Sequence, residues 1–179
     1  MTVFILLFRG VGGATQLPTG PLRDALTAAG FENVATYINS GNAVVRTGLS
    51  REETVAKVAE ICRDRFGFAK AIHAPTLEEW SQLIASNPFP DAVAVPKFLH
   101  AAVLEKVPAT NNVEAIRAYA KDGEKIEIID KVAYIHTPGG LGTSKMAERF
   151  DKLIGVQNTA RNWNSVLKLE ELAKKAAAD

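Results

Sequence analysis

The chain writes the same order of hydrophobic periods twice, and that repetition limits its fold more than any single motif does. Runs of β-branched and aromatic residues predict strands, and apolar residues spaced i, i+3, i+4, i+7 predict helices. In the first half, Val3–Phe8 (VFILLF) predicts a buried strand, because six apolar residues are too few for a membrane span or a signal h-region. Leu22, Ala25, Leu26 and Ala29 then follow helical spacing, with Pro21 near the start and Gly30 at the stop. VATYI and AVVRT flank NSGN, whose residues tolerate positive φ, and predict a hairpin. Ser50 with Glu53 is a capping box that opens a helix carrying Val55, Val58, Ala59, Cys62 and Phe66 on one face, with Gly67 at its end. AKAIHA predicts another strand, and Thr76 with Glu79 caps a helix containing Leu77, Trp80 and Leu83.

After the proline-rich NPFPDAVAVP, which stops that helix, the order recurs. FLHAAVLEKV predicts a strand, NNVEAIRAYA a helix, and EKIEIID with VAYIHT a hairpin turning near Asp130 and Lys131. A glycine-rich loop, a helix through Met146, Phe150 and Leu153, a short extended piece at QNTAR and a final helix from about Trp163 complete the chain. Both halves therefore spell β-α-β-β-α-β with a trailing helix, the split βαβ order of an α+β, ferredoxin-like sandwich. The expectation is an internal duplication, with repeats at 1–87 and 88–179 and a linker near 87–97, packed together because each alone has a thin core. On this order the first and third strands of a unit are expected to run parallel. That puts RGVGG and TGLS at one edge of the first sheet and NSGN at the other, and it separates GGLGTSK from RNW in the second.

The chemistry has to be sought in loops. PGGLGTSK, Pro138 to Lys145, lacks the Gly-Lys pair of a Walker loop and is not one. Two readings remain for it. Glycines ahead of a helix let Gly140, Gly142 and the following amides converge on an anion with Lys145 as countercharge, or Thr143 or Ser144 simply caps the helix. RGVGG offers Arg9, Gly12 and Gly13 but not the spacing of a dinucleotide fingerprint; Arg9 suits a carboxylate or phosphate, or an internal ion pair. Ser40, Gly41 and Asn42 supply a polar turn. In TARNWNSV, Arg161, Asn162 and Trp163 are candidate ligand contacts, with Arg161 a second cation; the alternative is that Asn162 or Asn164 caps the last helix and Trp163 is a core residue.

Several function classes find no support. His73, His100 and His136 sit in or beside separate strands without ligand spacing, so no metal or cofactor is expected. The paired acids Glu78-Glu79 and Glu170-Glu171 read as solvated helix faces. A net charge of +1 gives no broad field for nucleic acid or anionic membrane, and few aromatics lie on the strands that would stack bases. The single cysteine, Cys62, cannot form an internal disulfide, and a cytoplasmic location is the default.

RGVGG, YINSGN (Tyr37 to Asn42), GLGTSK and TARNWNSV, taken in this order, resemble the signatures of a bacterial family, domain of unknown function 1697. Members of that family usually carry an Ile-Asn pair in the first motif, which this chain lacks. The resemblance implies a duplicated ferredoxin-like fold and no established activity, substrate or cofactor. The functional expectation is a binding module for a small anionic, phosphate- or nucleotide-bearing ligand in a cleft between the repeats. The alternatives are an enzyme acting on such a substrate and a protein or nucleic-acid interaction module.

Overall fold

The computed structural model describes residues 1–12 and 15–178. They form a mixed α+β structure with strands β1 (Thr2–Phe8), β2 (Glu32–Thr36), β3 (Asn42–Thr47), β4 (Ile72–His73), β5 (Leu99–Leu104), β6 (Lys125–Ile129), β7 (Val132–His136) and β8 (Asn158–Asn162). The α-helices are α1 (Thr19–Ala28), α2 (Arg51–Phe66), α3 (Leu77–Ala85), α4 (Thr110–Arg117), α5 (Lys145–Leu153) and α6 (Trp163–Ala178). The strands make two four-stranded antiparallel sheets, ordered β2-β3-β1-β4 and β6-β7-β5-β8. The chain divides into two compact units, Met1–Gln82 with Lys168–Asp179, and Leu83–Leu167. Helix α6 gives its first residues to one and its remainder to the other.

In the first unit, β1 is apolar at consecutive positions because both of its faces are buried. Phe4, Leu6 and Phe8 pack with Leu22 and Leu26 of α1 and Val58 and Cys62 of α2. Ile5, Leu7 and Val44 are buried on the other face. Each such side chain contributes about 1.5–3 kcal/mol when fully buried, which fixes the register of a strand with few polar anchors. The capping boxes read from the sequence are in place. Glu53 N–H donates to Ser50 Oγ at 3.2 Å and Ser50 N–H to Glu53 Oε2 at 2.8 Å. Thr76 and Glu79 repeat the exchange at 3.2 and 2.8 Å, and the Glu79 carboxylate also accepts from Arg51. The segment AKAIHA yields only the two-residue β4.

In the second unit, Ala102 and Leu104 of β5 and Ala133 and Ile135 of β7 form one core cluster with Val113 and Ile116 of α4 and Met146 and Phe150 of α5. Even positions of β5 and odd positions of β7 therefore face the helices. The extended piece expected at QNTAR is a full edge strand, β8, paired with β5 from Leu104↔Asn158 to His100↔Asn162. The proline-rich stretch becomes two 3-10 turns, Pro90–Ala94 and Pro96–Phe98.

One expectation fails outright. β1 and β3 are antiparallel, with Leu7 opposite Asn42 and Thr2 opposite Thr47, so RGVGG lies beside NSGN and away from TGLS. The second sheet behaves alike. Leu99 opposes His136 and His100 opposes Asn162, which brings PGGLGTSK and RNW to the same end of β5. A helix crossover from β1 to β2 leaves those two strands parallel, and the strand inserted between them must run the other way.

Candidate functional site

In the first unit the sheet end is closed by two loops held against each other. Phe8 N–H donates to Gly41 O at 3.0 Å and Arg9 N–H to Ala71 O at 2.9 Å, so the chain leaves β1 pinned on both sides. Gly41 is buried with φ +79°, and a Cβ built there would lie 2.8 Å from Phe8 Cβ and 2.9 Å from Val11 Cγ2. Only glycine lets the NSGN turn approach this closely. Asn42, also buried, braces the turn by donating from Nδ2 to Tyr37 O and Ser40 Oγ. Thr15 and Gly12 exchange backbone hydrogen bonds at 3.0 Å, and Thr15 Oγ1 donates to the carbonyls of Gly10 and Gly12. Gly13 lies outside the described residues. Arg9, Gly12, Ser40, Gly41 and Asn42 are thus brought to one sheet end.

A cation that the sequence reading missed belongs to the same end. Lys70 Nζ is 3.8 Å from the position of a Cβ on Gly10. Its placement follows from β4, where Ile72 pairs with Phe8; reading AKAIHA as a strand of the β-α-β-β-α-β order is the signal that bears on it.

In the second unit, Gly140, with φ +102°, turns the chain into a single 3-10 turn, Leu141–Thr143, and Ser144 starts α5. Thr143 Oγ1 donates to the carbonyls of Gly139 and Gly140 at 3.0 and 3.2 Å. Ser144 caps α5, with Ala147 N–H donating to its Oγ at 3.1 Å and Glu148 N–H to its carbonyl at 3.0 Å. The Lys145 and Met146 amides are the remaining orphan donors of the first turn. Gly142 is exposed on the same loop. The Lys145 ammonium lies 2.8 Å from Glu148 Oε2, both groups being exposed, and that contact holds the Glu148 carboxyl below its ordinary range. An exposed pair of this kind counts for about 0–1 kcal/mol, so it opposes capture of Lys145 by an external anion only weakly.

A polar step lies at this end of the helix-facing side of the sheet. Thr137, directly after β7, continues the alternation of Ala133 and Ile135, with its backbone N–H donating to Phe98 O at 2.9 Å. It is 0% exposed, and its Oγ1 has no hydrogen-bond partner. His100, opposite Ile135 and Asn162, shares that face; its Nδ1 is buried without a partner, and burial holds the imidazole below its ordinary pKa. Asn162 Oδ1 accepts from Ser165 N–H at 3.1 Å and caps α6, while Trp163 is buried.

Arg161 is at this end of the sheet but not at this site. Strand alternation puts it on the face opposite Asn162, where its Nη1 donates to Thr159 Oγ1 at 3.0 Å and Ala160 O at 2.8 Å. Burial brings its pKa down to about 10. Of the acids read as solvated, half-buried Glu170 accepts from Ser81 at 2.8 Å, and Glu79 serves the cap that its spacing from Thr76 predicts. Among the described residues no three His, Cys, Asp or Glu side chains cluster as metal ligands, and no helix is long and apolar enough to cross a membrane.

A family model described as "Protein of unknown function (DUF1697)" matches residues 1–134, which takes in RGVGG and YINSGN and stops ahead of the α5 loop. No curated protein matches the chain. Among solved structures, that of a conserved bacterial protein from Streptococcus pneumoniae matches with a TM-score of 0.74 at 18% identity, covering 96% of this chain and 98% of that one. At that identity the likeness is one of fold.

Proposed function

The chain belongs to the DUF1697 family of proteins of unknown function, and from that premise we propose that it binds a small anionic, phosphate-bearing ligand at the first turn of α5. The observation that supports this reading is the start of α5, where the Lys145 and Met146 amides have no intrahelical acceptor, at the end of a loop that follows Thr137, whose fully buried Oγ1 no protein group satisfies. Helix N-terminal amides and the partial positive charge behind them favour an anion. Lys145 supplies the countercharge once it turns from Glu148, and Gly140 gives the loop its bend. The reading extends to the fold and its setting: each sheet with its helices is a ferredoxin-like repeat, the two arising by duplication within a cytoplasmic protein.

The test is a titration of the full chain with inorganic phosphate, followed by amide NMR. Shifts at 140–146 are expected, and Lys145→Ala should weaken binding about two- to five-fold, the equivalent of the ~0.3–1 kcal/mol that a charge near a helix terminus contributes. Silence of those amides at millimolar phosphate removes the proposal.

A further inference from the structure

The turn between β6 and β7 decides which backbone groups of β6 remain unspent. Asp130 and Lys131 form a two-residue hairpin turn, so Ile129 and Val132 close it by exchanging a pair of hydrogen bonds, and Glu127 with Tyr134 and Lys125 with His136 repeat the exchange. Ile126 and Ile128 therefore turn their N–H and C=O groups outward, and β6 is the outermost strand of its sheet. Arg117 Nε donates to Ile126 O at 3.3 Å and covers one of these groups. Among the described residues none bonds the outward pair of Ile128. The other sheet edges are blunted: β2 is broken by a register shift between Glu32 and Ala35, β4 has only two residues, and in β8 Arg161 Nη1 takes the Ala160 carbonyl. β6 keeps an unbroken register and contains no proline.

A cavity of about 330 Å³ adjoins this open pair. Val113 and Arg117, one helical turn apart on α4, line it with Ile128, Val107 and Pro108, and Asp130 stands at its side. Residues opposite each other on paired strands put their side chains on one face. Ile128 packs against the helix-side core, so a residue paired with it sends its own side chain to the cavity side. The charges are unequal. Arg117 is engaged by Glu114 at 2.6 Å and Glu127 at 2.9 Å, whereas Asp130 makes no ion pair among the described residues, and neither Lys125 nor Lys131 lines the cavity.

We infer that the edge of β6 takes an extended peptide segment of a partner protein, antiparallel to the strand. An aliphatic side chain opposite Ile128 enters the cavity, and a lysine or arginine two residues before it faces Asp130. Three observations select this occupant. The outward N–H and C=O of one residue match the backbone of an extended chain, which returns both bonds. The lining of Val107, Pro108, Val113 and Ile128 suits an aliphatic group. One guanidinium set against three carboxylates, Glu114, Glu127 and Asp130, suits a cation in the occupant. The inference is independent of the anion site, because the hairpin turn lies at the Val103↔Val132 end of the sheet and α5 starts beyond the Leu99↔His136 end.

The experiment titrates the full chain with the peptide acetyl-Lys-Thr-Leu-Thr-Thr-amide, followed by amide NMR. Shifts are expected at 126–130 and 113–117. Methylating the leucine nitrogen of the peptide removes its donor to Ile128 O and should weaken binding about five-fold or more. Serine in place of that leucine should weaken it about ten-fold or more. Glutamate in place of the lysine should weaken it about two- to five-fold, and Asp130→Asn, whose side chain tolerates the φ of +51° at this position, should abolish that preference. Silence of 126–130 at millimolar peptide overturns the inference, as does equal binding of the N-methylated or the serine peptide, or a lysine preference that survives Asp130→Asn. Butylamine moving the same amides as strongly as the peptide overturns it in favour of a small aliphatic cation. A dimer in light scattering that the peptide does not dissociate, with concentration-dependent shifts at 126–130, overturns it in favour of a second copy of this chain.

Discussion

Replacing Gly41 by alanine tests whether the RGVGG and NSGN loops are locked together by close approach. Two terms oppose the new methyl group. The backbone at φ +79° is disfavoured for an L side chain by about 1–2 kcal/mol. The methyl also meets Phe8 Cβ at 2.8 Å and Val11 Cγ2 at 2.9 Å, distances that force a shift in buried structure, and overpacking of this kind adds roughly 1–3 kcal/mol. Neither contact is the far end of a flexible chain, since Phe8 Cβ is fixed by its strand. The sum is about 2–5 kcal/mol, or a fall in Tm of roughly 4–20 °C for a domain of this size. Gly30→Ala is the control, for its φ is +88° and no atom lies within 4 Å of the added Cβ, so it reports the backbone term alone. Denaturant midpoints for the two variants and the wild type separate the terms. If Gly41→Ala is no less stable than Gly30→Ala, the close packing of the two loops has no energetic meaning and the argument for a shared sheet end fails.

Other expectations are simpler to state. Thr137→Val removes a buried hydroxyl without a partner and should raise ligand-free stability by about 1 kcal/mol, read as a higher Tm; a lower one means that the hydroxyl is satisfied. Glu148→Gln frees Lys145 from its 2.8 Å partner and should tighten phosphate binding about two-fold or more, again by NMR titration. His100 and His136 both have folded pKa values below the ordinary 6.5, through burial and, for His136, also the nearby Lys125. The unfolded chain therefore takes up protons that the folded one refuses, so their stabilising contribution is intact above about pH 6.5 and is lost as pH falls below it toward the folded values. Denaturant midpoints between pH 7.5 and 5 should decline, and His100→Gln should make the decline shallower.

What could be read from the residues was local. Ser50 with Glu53 and Thr76 with Glu79 announce helix starts because the cap needs only residues three apart, and both boxes are present. Strand direction is not local. Nothing in NAVVRT states which way it lies against VFILLF, and the mistaken parallel pairing moved NSGN to the wrong end of the sheet. The same limit hid Lys70, whose neighbour Gly10 is sixty positions earlier in the chain. Thr137 closes the strand run VAYIHT in the sequence, but its burial depends on the row it shares with Ile135, which is fixed by the register against β5. Arg161 stands out in the sequence as a candidate cation, yet a one-residue alternation decides whether it shares a face with His100 or turns away.

Helix α6 has a bearing on how this chain must be made. From Lys168 onward it belongs with the N-terminal unit, where Ala176 O accepts from Asn33 Nδ2 at 2.9 Å and Glu170 accepts from Ser81. Leu169, Ala173 and Ala176 are buried there, so the first unit to leave the ribosome is still missing apolar cover when the second has already been translated. Its maturation is thus deferred, and a truncation near the C-terminus would be felt earliest in the oldest part of the polypeptide.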